Sequence, residues 1–231
     1  MSSKIPAKPE LSERIAAFFS HHRRILMILS VVLIVGVFAA IAIYQVQENR
    51  ADRSARQAEL LVQDFQRWQD SGDARDSAAE EAIRADAASI QNDFSGTYGA
   101  LRALHTLGRL EYELENYGAA REAFLEIVIR FPESHLVAIA LAGAAAAAEE
   151  EGETALAREF LTRIADGEGE PSIEQGRALF NLGRLAEQAG DFTAALDYYQ
   201  QLSDRFPSGN WTNLGRNRII ALTIEGVRSD R

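Results

Sequence analysis

The sequence predicts an all-α protein: a helical-repeat solenoid behind one N-terminal transmembrane helix, in a chain of 231 residues. Three observations carry that expectation. Residues 25–44 form an apolar run in which Ser30 is the one clearly polar side chain before Tyr44. From residue 51 onward apolar residues recur at three- and four-residue steps, and Ala, Glu, Leu, Arg and Gln dominate. Finally, Leu104, Leu107, Gly108, Ala120, Phe124, Ile127 and Pro132 line up with Leu179, Leu182, Gly183, Ala195, Tyr199, Leu202 and Pro207, each pair 75 residues apart.

The first 24 residues carry Lys4, Lys8, Arg14, Arg23 and Arg24 against Glu10 and Glu13, a net +3, and residues 25–44 carry no charge. At 1.5 Å rise per residue that apolar run spans about 30 Å, the thickness of the hydrocarbon core of a bilayer. It is apolar all round, unlike a core helix, which shows a polar face. Ala40 and Ala42 form an A-x-A pattern of the kind that precedes signal cleavage. The run is longer than a signal h-region and continues through Ile43 and Tyr44, so the expectation is an uncleaved anchor. Five basic residues precede it, and only Arg50, Arg53 and Arg56 follow closely, which places the N-terminus in the cytoplasm and the rest of the chain across the membrane. Residues 136–148 are too short and too rich in Ala for a second span, so the topology is single-pass.

A helical stalk is expected over 45–63, with Ala58, Leu61, Val62, Phe65 and Trp68 at helical spacing. After the Ser71-Gly72-Asp73 break, Ala79, Ile83, Ala87 and Ile90 continue the period, which makes 64–97 a degenerate leading repeat. Repeats follow near 101–134, 138–171 and 176–207 within a repeat domain covering 64–231. Gly108 and Gly183 let a first helix approach its partner, Ala120 and Ala195 are the small residues it meets, and Phe124 and Tyr199 fill the gap beside them. Pro132 and Pro207 stop the second helices. The middle repeat is weaker, with Ala144, Ala145, Gly152, Ala157, Leu161 and Ile164 in the matching places and a turn at Asp166-Gly167-Glu168-Gly169. Phe94-Ser95-Gly96 echoes Phe131-Pro132-Glu133 and Phe206-Pro207-Ser208, and Trp211, Leu214 and Gly215 open a capping helix over 208–228.

The residue inventory removes most chemistries. The chain has no cysteine, hence no disulfide, thiolate nucleophile or Cys-ligated metal. Every lysine lies in the first eight residues, which excludes a Schiff base, a P-loop or a Ser-Lys dyad in the rest. From residue 45 onward 19 arginines face 32 acids, a net −13 that argues against a sequence-independent grip on nucleic acid. His21 and His22 flank the span, and His105 and His135 stand in different contexts with no H-E-x-x-H spacing. Glu149-Glu150-Glu151 and Glu168-Gly169-Glu170 lack EF-hand spacing and read as solvated turns. Asn210-Trp211-Thr212 is a glycosylation sequon by pattern, but it falls in a helix. The expectation is a protein that is not an enzyme and takes no cofactor and no metal.

The pair of motifs Leu107-Gly108, Ala120, Phe124, Pro132 and Leu182-Gly183, Ala195, Tyr199, Pro207 resembles the tetratricopeptide repeat (TPR) superfamily. With a short basic N-terminus, one anchor and an acidic exported array, the chain is similar to the YfgM-like ancillary subunits of the bacterial Sec translocon. Residues 94–101, Phe-Ser-Gly-Thr-Tyr-Gly-Ala-Leu, match that family's boundary before its better-formed repeats. The resemblance implies a bacterial inner-membrane protein with its repeat domain in the periplasm, meeting the Sec translocon through the anchor and offering its groove to periplasmic chaperones or exported substrates. A scaffold for cell-envelope or cell-division assemblies of the Tol-Pal kind is the alternative, with self-association through the stalk.

In a TPR array the first helix of each repeat lines a concave face. The resemblance therefore points to Arg102, His105, Arg109 and Tyr112 in the first clear repeat and Arg177, Phe180 and Arg184 in the last as partner-binding residues. The middle repeat contributes Ile139, Ala142, Ala146 and Glu149, a flatter surface. Two arginine pairs at i, i+7 would favour acidic peptide segments, which arginine holds bidentately. The competing reading pairs these arginines with Glu111, Glu113 and Glu187. Tyr112 and Phe180 serve either as peptide anchors or as packing residues, while Phe124, Tyr199, Phe160 and Trp211 belong to the core.

Overall fold

The computed structural model describes residues 21, 23–72, 76–167 and 173–229. Among these there are nine helices and no strand. They are α1 (Arg23–Asp70), α2 (Ser77–Asp93), α3 (Tyr98–Glu113), α4 (Tyr117–Arg130), α5 (Val137–Glu150), α6 (Thr154–Ala165), α7 (Ile173–Gln188), α8 (Phe192–Arg205) and α9 (Asn210–Ser229). Most of the basic N-terminal segment, His22, Asp73, and the Glu168-Gly169-Glu170 and Pro171 turn lie outside the described residues.

The chain divides into two units, Met1–Arg50 and Ala51–Arg231. In the first, the large apolar side chains of α1 from Met27 to Val46 stand in the open, Leu33 at 69% and Phe38 at 68% exposure. Among the described residues α1 is the one helix long and apolar enough to cross a membrane, and none of its apolar window is buried. That pattern is the reverse of a water-soluble fold, where such residues go inside.

In the second unit successive helices pack as antiparallel pairs, with α3 on α4, α5 on α6 and α7 on α8, and α9 closing the array on α8. The interior changes along the chain. Leu61, Phe65 and Trp68 of α1 meet Ile83, Ala87 and Ile90 of α2 and Ala100, Ala103 and Leu110 of α3. A central cluster joins Leu104, Phe124, Ile127, Leu141, Leu161, Ile164, Leu179 and Leu182. Ala186, Ala195, Tyr199 and Leu222 close the far end. Ala58 and Leu61 are fully buried, so the packing of the leading helix pair begins before residue 64. Residues of α2 and α3 cover that apolar face of α1.

The repeat is visible in the backbone. The turns α3–α4, α5–α6 and α7–α8 each pass through one left-handed residue, Glu115 (φ 61°), Gly152 (φ 78°) and Gly190 (φ 76°). Each is followed by a long-reaching amide: Asn116 donates to the Glu111 carbonyl at 2.8 Å, Glu153 to Ala148 at 2.8 Å and Asp191 to Ala186 at 2.9 Å. This is the Schellman closure of a helix C-terminus, which satisfies carbonyls that would otherwise be orphaned. Phe94, Phe131 and Phe206 cap the second helices in one conformation, with φ of −125°, −132° and −129°. The prolines at 132 and 207 then hold the preceding residue out of the helical region. Thr97 and Asp191 cap α3 and α8 with their side chains, accepting from the amides of Ala100 and Ala194.

Helix approach is set by glycine. A Cβ on Gly108 would stand 2.7 Å from Phe124, and one on Gly183 would stand 2.5 Å from Tyr199. A Cβ on Gly143, midway along α5, would stand 2.7 Å from the other edge of the Phe124 ring. Gly99 lies so close to α1 that a Cβ would stand 2.4 Å from the Ser54 carbonyl oxygen. Real Cβ atoms do not approach that closely, so none of these positions accepts a side chain without movement.

Candidate protein-binding groove

Five first helices of helix pairs (the second part of α1, then α3, α5, α7 and α9) lie in succession, and charged side chains link α3 to α1, α7 to α5 and α9 to α7. Arg102 of α3 donates to Glu59 of α1 at 2.9 Å. Arg109 reaches Gln69 at 3.4 Å, with its guanidinium 4.8 Å from the centre of the Phe65 ring. Arg184 of α7 spans both oxygens of Glu149 of α5 from one nitrogen, at 2.8 and 2.6 Å. Glu187 of α7 accepts from Arg218 of α9 at 3.0 Å and from the Tyr199 hydroxyl at 2.6 Å. Arg177 pairs within its own helix with Glu174 at 2.6 Å.

Along this ladder Arg102, Arg177 and Arg184 hold carboxylates within the array, whereas Arg109 meets an amide and an aromatic ring. The partners also differ from the neighbours expected for them. Glu111 is engaged by Arg84 of α2 at 2.6 and 3.1 Å and by Asn116 at 2.8 Å. Burial pushes the Glu111 carboxyl up, but Arg84 and Asn116 outweigh it and leave the carboxyl below its usual range. Glu113 accepts from Gln69 at 3.2 Å.

Of the other candidate residues, His105 is half-buried and turns its ring edge-on to Phe124 at 6.0 Å. Burial, and then the neighbouring Arg109, hold its pKa below the usual imidazole value, so it is neutral at pH 7. Phe180 packs on Tyr199 and Trp211, with ring centres 5.7 and 5.3 Å away. It belongs to the interior more than to a docking surface, as do the buried rings of Phe124, Phe160 and Tyr199.

Tyr112, Arg177 and Arg184 are brought together. With Ala142, Ala145, Ala146, Glu149, Glu150, Leu161 and Asn181 they line an open cleft of about 290 Å³. Its origin is legible in α5. That helix places alanine at nearly every position from 142 to 148 between the longer side chains of α3 and α7, so the middle repeat is a recess. Arg102, His105, Arg109 and Phe180 do not line the cleft. Asn181, Glu150 and Ala145 were missed by the sequence reading. Asn181 had a signal, because 177, 181 and 184 share one helical stripe. At the outer end of the cleft Tyr112 meets Tyr117 edge-to-face, with ring centres 5.4 Å apart. Burial and the nearby Glu150 carboxylate raise the Tyr112 pKa.

No group of three or more His, Asp or Glu side chains is placed to hold a metal among the described residues. The Asn210-Trp211-Thr212 sequon opens α9, and Thr212 is buried there with its hydroxyl donating to the Phe206 carbonyl.

A TPR repeat-containing protein of Treponema pallidum (strain Nichols) is 36% identical over 110 residues, which is 48% of this chain and 45% of that protein. The chain thus spans about half the length of that curated relative. A solved structure from a functional characterisation of Pseudomonas aeruginosa pilF superposes with a TM-score of 0.42 at 17% identity, covering 70% of this chain and 80% of the other. The tetratricopeptide repeat-like domain family matches residues 16–208, and the chain belongs to that family.

Proposed function

We propose that this chain is a single-pass membrane adaptor. In this reading residues 25–44 hold it in a bacterial inner membrane, residues 1–24 stay in the cytoplasm, and the repeat domain binds proteins or peptides on the periplasmic side. The observation that carries the adaptor role is the open cleft across α3, α5 and α7, formed by the faces that TPR arrays use for partners. Support for the membrane role is the fully exposed apolar stretch of α1. The finer reading, an ancillary subunit linking the Sec translocon to periplasmic chaperones or exported substrates, rests on the resemblance to the YfgM-like family. Tyr112, Arg177 and Arg184 are the binding residues proposed for the cleft, with Arg102, His105, Arg109 and Phe180 supporting it from beside or beneath.

Site-specific photocrosslinking in native membranes tests this. Probes go at Tyr112 in the cleft and at Gly36 in the span, where nothing stands within 4 Å of an added Cβ. Translocon subunits captured from Gly36, with chaperones or exported chains from Tyr112, are the expected result. Division or Tol-Pal proteins at both probes would move the function to envelope scaffolding. No protein captured from Tyr112 would remove the adaptor role.

A further inference from the structure

The ladder leaves an asymmetry at the cleft. Arg177 and Arg184 are matched by Glu174 and Glu149, whereas no arginine pairs with Glu150 among the described residues, and its carboxylate is exposed beside the Tyr112–Tyr117 pair. Two edge-to-face aromatic rings, with a carboxylate at their side that also meets the Tyr112 hydroxyl, are the ingredients of a site for an organic cation. The ring faces attract a cation through their quadrupole, and the carboxylate supplies a charged acceptor for its N–H groups. The cleft is floored by Ala142 and Ala146, an open space of about 290 Å³ with room for an apolar side chain. The surrounding domain carries a net −13, so its long-range field also draws in positive segments and repels acidic ones.

Resting on the adaptor reading, we infer that the groove recognises an extended cationic-apolar peptide segment, with a lysine or arginine in the Tyr112–Tyr117–Glu150 corner and an apolar side chain in the alanine-floored cleft. This reverses the acidic-peptide preference expected from the arginines. It also assigns functions to Glu150, which the sequence reading left as a solvated turn, and to Tyr117, which that reading did not single out.

The test is fluorescence anisotropy on the full chain in detergent micelles with three short labelled peptides. The first carries a Phe flanked by lysines, the second the same Phe flanked by glutamates, and the third the lysines with Gly in place of Phe. The first should bind most tightly and weaken with salt. Glu150→Gln should reduce its affinity by about two- to fivefold, in line with a solvent-exposed ion pair. Ala146→Leu fills the cleft and should reduce it by about tenfold or more, the value of burying one apolar side chain. Tyr112→Ala gives an independent check should Ala146→Leu melt early by circular dichroism. Equal or tighter binding of the glutamate peptide, indifference to both cleft variants, or no binding by any of the three overturns the inference. Photocrosslinking from Tyr112 separates that outcome from failure of the adaptor reading. Partners trapped there while the peptides fail leave an adaptor with a different ligand, and an empty crosslink with failed peptides removes both.

Discussion

The repeats at either end of the array and the repeat between them solve one packing problem in two ways. In α3–α4 and α7–α8 a glycine on the first helix meets an aromatic ring on the second, Gly108 against Phe124 and Gly183 against Tyr199. In α5–α6 the equivalent positions hold Ala145 and Leu161, both buried. A methyl added on one side is matched by a smaller side chain on the other. The lesson is that interior volume, rather than residue type, is what the repeat preserves, as close-packed interiors require. The same difference has an outward consequence, since the alanines that let the middle repeat pack also hollow its concave face into the cleft.

The sharpest way to break this comparison is truncation. Phe124→Ala should cost about 3–5 kcal/mol, and Leu161→Ala about 2–5 kcal/mol, by equilibrium denaturation. Should the aromatic truncation prove the milder of the two, the glycine–aromatic contact would not be the stronger form of the lock. Overpacking comes next. Gly183→Leu drives a side chain into Tyr199 and should cost about 1–3 kcal/mol, and a variant as stable as the parent would undo the assignment of that contact. A double-mutant cycle then tests whether the two solutions interconvert. Gly108→Ala with Phe124→Leu imports the middle repeat's pair into the first, and the double variant should be more stable than the sum of the singles by about 0.5 kcal/mol or more. Strict additivity would mean that the pairs are not alternatives. The edge of Phe124 on Gly143 makes full recovery unexpected, because Leu leaves that side underfilled.

The smallest effect lies at the junction of α7, α8 and α9. Arg218 lowers the Glu187 carboxyl below its usual range, burial opposes the shift, and the Tyr199 hydroxyl adds to it. A carboxyl depressed in the folded state contributes stability above its unfolded pKa and loses it as pH falls through the folded value. The stability difference between the parent and Glu187→Gln should therefore be present at neutral pH and shrink below the ordinary carboxylate range. A difference that stays constant from pH 7 to strongly acidic solution would show that the ion pair is not its source.

Much of this architecture was legible in the sequence because it rests on local rules. Gly108, Gly183, Ala120 and Ala195 announce close helix approach by their size, and the Phe-Pro steps announce the ends of second helices. Gly152 and Gly190 mark two of the left-handed turns. The third hides behind Glu115, a residue type that rarely adopts φ 61°, and only the repeat alignment points to it. The groove was less legible. Helical periodicity says which face a side chain occupies but not what stands opposite on the next first helix. The pairing of Arg184 with Glu149, 35 residues earlier, and of Arg102 with Glu59, 43 residues earlier, depends on superhelical neighbours. The two roles open to Phe180 could not be separated for a related reason, because its packing partner Trp211 lies on the following helix.

The grip on Phe124 from two helices bears on how such an array can evolve. One edge of the ring belongs to its own repeat through Gly108, and the other to the next repeat through Gly143. A unit inserted after α4 must therefore bring its own glycine to the same place, and deleting the middle unit would present α7 instead. Each repeat thus dictates a requirement to its successor, and the order of units is written into the sequence as well as their number. Recombination that shuffles whole repeats in more uniform solenoids would here yield mismatched neighbours, so the family member is expected to change by substitution within units more readily than by exchange of them.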